Sequence, residues 1–125
     1  MNPFSKENLE EITIQVETLA LKDTEHNIVF TFEDIAHLDN TTVSRILRKV
    51  DNEGLLKALK GTSPALQEKF FDNMSQSLSN QLKEDFEYLG PIPLTVVLEE
   101  RDKIMKLIEQ LIKNDEITIY KGPVV

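Results

Sequence analysis

The sequence predicts an all-α chain folded as a compact bundle of about six helices, and three observations carry that prediction. From Thr31 to Asn114, apolar residues recur at steps of three and four, the period of an amphipathic helix. The periodic runs open on Thr, Asp, Ser or Pro and several close on Gly, the residue types that begin and end helices. Connections of two to four residues between the runs make successive helices neighbours in space. At 125 residues the chain suits one domain with a modest core.

The N-terminal segment admits two readings. Leu9, Ile12, Val16, Leu19 and Ala20 fit a helix capped by Ser5, with Glu7, Glu10 and Glu11 in its first turns. Ile12, Ile14 and Val16 also alternate with Thr13 and Gln15, the pattern of a β-strand. In the second reading, residues 22–27 form a hairpin loop leading to a strand over Ile28–Phe32. The division expected is an N-terminal extension over residues 1–28 and a helical domain over 29–125.

Beyond it, each helix has its own signals. Thr31 caps a short helix holding Phe32, Ile35 and Leu38. Asp39 or Asn40 caps the next, whose inner face is Val43, Ile46, Leu47 and Val50 and whose end carries Arg45, Arg48 and Lys49. Asp51 or Asn52 opens a third, with Leu55, Leu56 and Leu59 inward and Gly61 ending it. Ser63 and Pro64 start a fourth, which carries Leu66, Phe70 and Phe71. The fifth runs from Ser75 to the Gly90–Pro91 stop. Its predicted apolar stripe is Met74, Leu78, Leu82, Phe86 and Leu89, and its outward face holds Ser77, Asn80, Glu84 and Glu87. The last helix follows Pro93 and Thr95, with Val96, Val97, Ile104, Leu107, Ile108 and Leu111 inward. In it Glu99 stands four residues before Lys103, a spacing suited to a pair. Asn114 closes this helix, and Ile117–Tyr120 reads as an extended tail.

Composition excludes several classes of function. The chain has no cysteine, so disulfides, thiolate nucleophiles and cysteine metal ligands are absent. His26 and His37 are not at ligand spacing, so neither metal nor cofactor is expected. The net charge is −8, with the acidic excess at the N-terminus and on the fifth helix, which argues against nucleic acid. The start of the chain does not read as a signal peptide, and no apolar run reaches the roughly 18 residues that span a bilayer. A cytoplasmic protein without membrane insertion is expected. Glu84 and Asp85 are adjacent, so they diverge around a helix and cannot converge on one substrate atom as acid and base. Catalysis is not expected; a charged helix face offered to a partner is.

Residues 34–38, 41–45 and 51–56 resemble parts of a winged helix-turn-helix, the motif of a DNA-binding regulator. The step from Ala36 to Thr42 leaves too few residues for the turn between its helices, and a helical pattern follows Leu56 where a wing would stand.

A second resemblance is broader. FEDI at 32–35, LRKVDNE at 47–53, ALKG at 58–61, EKFF at 68–71, NMS at 73–75 and KED…GP at 83–91 are similar, in order and spacing, to the C-terminal domain of the flagellar motor switch protein FliG. The resemblance covers roughly residues 29–119. It implies a six-helix, armadillo-like bundle at the cytoplasmic face of the flagellar basal body. There it would bind other rotor proteins and engage the cytoplasmic loop of the stator protein MotA to generate torque; self-association is also allowed. By the resemblance, Lys60, Glu84 and Asp85 would be the stator-binding charges, and Val29, Phe30, Thr31 and Phe32 a hinge with valine for the family's methionine. Two family arginines fall on Ser77 and Pro93. These departures keep open an alternative, a stand-alone paralogue with a structural or regulatory role in the motor.

Overall fold

The computed structural model describes residues 21–23 and 28–119, those before Phe30 by backbone alone. A short antiparallel ribbon comes first. Strand β1 (Leu21–Asp23) pairs with β2 (Ile28–Phe30), Leu21 opposite Phe30 and Asp23 opposite Ile28. Lys22 and Asp23, expected in a hairpin loop, are therefore strand residues, and the second strand ends two residues early. The early end has a local cause. The Thr31 amide and hydroxyl donate to Asp34 Oδ2 at 2.8 and 2.9 Å, which turns the chain into a 3-10 helix over Phe32–His37. The helix-or-strand question over residues 5–20, His26 and Tyr120 lie outside the described residues.

Among the described residues five α-helices follow, and the first four open on side-chain caps that their local sequence supplies. Helix α1 (Asn40–Leu47) opens on Asp39, whose carboxylate accepts from the Thr42 amide at 2.8 Å and is held below its usual pKa by hydrogen bonding to the Thr42 side chain and then to that amide. Helix α2 (Asn52–Ala58) opens on Asp51, which accepts from the Gly54 amide. Helix α3 (Pro64–Phe71) has Ser63 as cap and proline in its first turn. Ser75 caps α4 (Gln76–Tyr88), and α5 (Leu94–Lys113) is the longest at 20 residues. Gly61 and Gly90 adopt φ of +77° and +68°, left-handed turns after α2 and α4 that glycine makes without steric cost. No wing follows α2: Gly61 turns the chain directly into α3.

Among the described residues these elements make an all-α bundle of one 3-10 helix and five α-helices, preceded by the ribbon. Ile35, Val43, Ile46, Leu55, Leu59, Leu66, Phe70, Met105 and Ile108 are fully buried and form one continuous core. Helix α5 lies along α2, while α3 packs on both α1 and the 3-10 helix. Helix α4 is attached differently. It meets α2 and α3 along one edge, and its buried residues are Ser79 and Leu82 alone. Met74, Phe86 and Leu89 of the predicted stripe are partly buried, but Leu78 is 37% exposed. The helix is thus rotated from the expected orientation, with small Ser79 in the seam where it admits close approach of neighbouring helices.

Candidate functional site

Helix α4 exposes Glu84, Asp85 and Glu87, with Glu84 on its outer face and Asp85 and Glu87 on its two flanks. Residue Glu84 is two positions from both Leu82 and Phe86, hence about 200° around the helix from each, and it points away from the bundle. Asp85 accepts a hydrogen bond from the Gln81 side-chain Nε2 at 3.0 Å on the same helix. Among the described residues, Glu84 has no ion pair or hydrogen bond from a side chain. The close ion pairs of the described chain lie on α2 and α5: Glu53–Lys57, Glu100–Lys103, Asp102–Lys106 and Glu109–Lys113. Lys103 thus pairs with Glu100, one turn back, and not with Glu99. Pairs of this kind mask α5; the carboxylates of α4 are left unmasked.

The two lysines beside α4 sit against aromatic rings. Lys83 Nζ is 5.8 Å from the centre of the Phe71 ring, and Lys60 Nζ is 5.5 Å from that of Phe86. The two rings stack at 6.3 Å with their planes tilted by 59°. Lys60 is therefore half-buried in the seam between α2 and α4, on the other side of α4 from Glu84. The structure brings Lys60 to the same helix as Glu84 and Asp85 but does not bring the three charges together on one face.

The four residues resembling a hinge straddle the ribbon and the bundle. Val29 and Phe30 end β2, Thr31 caps the 3-10 helix and Phe32 begins it. Phe30 and Phe32 are both 5% exposed, so the segment is anchored in the core at two rings.

Arg101 is a functional candidate that the sequence reading passed over. Its guanidinium donates from Nε to the Ala58 carbonyl at 2.8 Å and from Nη2 to the Lys60 carbonyl at 2.6 Å, and lies 5.6 Å from the Phe32 ring. Burial lowers its pKa, an effect countered by nearby Glu33. The signal was present: Arg101 stands four residues after Val97 and three before Ile104, a charge inside the inward stripe of α5.

Reactive groups do not converge. Among the described residues no three of His, Cys, Asp or Glu are placed to hold a metal. An open depression of about 470 Å³ is lined by Arg45, Arg48, Lys49, Leu111 and Glu116, a single carboxylate among cations. Among the described residues, no helix is long and apolar enough to cross a membrane.

Fold and surface define a class, the all-helical domain that offers a charged helix face with no convergent reactive groups among the described residues. The chain belongs to the FliG C-terminal domain family, whose model matches residues 13–119. It is 45% identical over 94 residues to the flagellar motor switch protein FliG of Borreliella burgdorferi, covering 75% of this chain and 27% of that protein. Identity to the protein of the same name from Thermotoga maritima is 44% over 94 residues, covering 75% and 28%. A crystal structure of residues 86–343 of FliG from H. pylori superposes with a TM-score of 0.69 at 28% identity, covering 91% of this chain and 55% of that one. The chain thus spans a little over a quarter of the length of the two relatives it matches.

Proposed function

We propose that this chain is a non-enzymatic rotor module of the bacterial flagellar motor switch, working at the cytoplasmic face of the basal body. In this reading residues 29–125 are the working domain and residues 1–28 an N-terminal extension. The outward carboxylates Glu84 and Asp85 meet the cytoplasmic loop of the stator protein MotA, Lys60 contributes from the seam, and Val29–Phe32 is the joint to what precedes. Other rotor and switch proteins are its neighbours.

The observation that carries this reading is the exposure of Glu84 on a helix whose own lysine is turned onto a ring. A face of one sign, unmasked by local pairs, attracts a basic partner and sets its orientation without requiring a large buried area. Such contacts release quickly, as repeated torque transfer requires. The test is a binding titration between the full chain and a MotA cytoplasmic-loop fragment at low and physiological salt. Glu84→Lys with Asp85→Lys lowers affinity by roughly tenfold at low salt and by less at high salt. Unchanged affinity at low salt overturns the reading.

A structural or regulatory paralogue is the second reading. Ser77 and Pro93 in place of family arginines favour it, as does the half-burial of Lys60 away from Glu84. A deletion strain separates the two: complete but paralysed flagella mark the torque role, and altered assembly with retained swimming marks the paralogue.

A further inference from the structure

We infer that Arg101 is a positioning residue that fixes Lys60 on α4 and ties it to the Val29–Phe32 segment. The inference rests on the reading above for its functional meaning, but its geometry stands independently. The last carbonyls of a helix lack intrahelical donors. Ala58 ends α2 and Lys60 lies in the turn just beyond it, and the carbonyls of both accept from the one guanidinium of Arg101. A cation there also complements the helix dipole. The planar fork of arginine suits it to reach two acceptors and a ring at once, which the single ammonium of lysine does not do.

The Lys60–Ser63 turn is gripped from its other side as well. Glu33, next to Phe32 in the 3-10 helix, accepts from the Ser63 amide at 3.1 Å and from the Ser63 hydroxyl at 2.6 Å. Gly61 lets the backbone between the two grips take its left-handed turn. With its backbone pinned, Lys60 directs its ammonium to Phe86, 5.5 Å from the ring centre. A continuous series of contacts therefore runs from Phe32 through Arg101 and Lys60 to Phe86. Movement of the joint reaches the charged helix by that route, and Arg101 is the link that belongs to neither end.

The experiment reads Lys60 directly, without a partner. In the full chain, the ε-methylene protons of Lys60 resonate upfield of those of exposed Lys106, because they lie near the Phe86 ring. In Arg101→Gln and in the charge-conserving Arg101→Lys, that upfield displacement is lost while the Leu82 and Ile108 methyl signals stay in place. Phe32→Leu, which removes the ring beside the guanidinium but keeps an apolar side chain, gives a smaller loss of the same sign. A folded Arg101 variant with the Lys60 signal unmoved overturns the inference; should the glutamine variant fail to fold, the lysine variant decides. An unmoved Lys60 signal in Phe32→Leu overturns the tie to the joint. If the Arg101 variants release Lys60 while Glu84→Lys with Asp85→Lys leaves stator binding intact, the positioning role stands and the stator reading falls.

Discussion

Glycines at two positions in and after α2 act in opposite ways. Gly54 is buried, and a Cβ there would collide with Glu100 Oε2. That oxygen is the far end of a flexible side chain, so it moves aside at the expense of an exposed pair with Lys103. Against this, alanine recovers up to about 1 kcal/mol of helix propensity. Gly54→Ala should therefore be neutral to stabilising by up to about 1 kcal/mol in urea denaturation. A Cβ on Gly61 would meet Arg101 Nη2 at an ordinary 3.9 Å, but its φ is +77°, so Gly61→Ala should cost about 1–2 kcal/mol. A loss at Gly54 as large as that at Gly61 would show that Glu100 cannot yield.

At the scale of elements, α4 is held by a narrow edge, and its burial pattern separates two adjacent repeats of one predicted stripe. Leu82 is 5% exposed beside α2 and α3, so Leu82→Ala should destabilise by about 2–5 kcal/mol. Leu78, one turn earlier and 37% exposed, should lose about 1–2 kcal/mol in Leu78→Ser, less than Leu82→Ala. Thermal melts of the two variants check this; equal losses would restore the straight stripe. The caps of these helices were legible in the sequence because Asp39, Asp51, Ser63 and Ser75 act on amides three residues away. The facing of α4 was not, because Ser79 enters the seam for reasons set by α2 and α3. Arg101 escaped for a related reason: a periodicity read from apolar residues skips a polar one on the inward side.

For the molecule as a whole, stability should fall from the α2–α5 seam outward. Native-state hydrogen exchange should show the central amides of α5, around Ile104–Ile108, opening last and those of α4 earlier. Simultaneous exchange of both would mean that α4 is integral to one cooperative unit. The all-helical class and the family were legible before the fold, through period, caps and ordered motifs. The ribbon was half legible: Ile28–Phe30 carried β-branched and aromatic residues, whereas Lys22 and Asp23 carried loop chemistry and are strand by pairing with Val29 and Ile28. The separation of Lys60 from Glu84 could not be read at all, since it depends on which rings the lysines find after folding.

A helix gripped along one edge, with its carboxylates on the far side, works as a paddle. A lateral push at Glu84 has its lever arm across the full width of α4, and the fulcrum is the line through Leu82 and Phe86. Such a push would reach the tilted Phe71–Phe86 pair and Lys60 before the packing around Ile108. On this mounting a proposed load would meet the rim of the bundle before its hub.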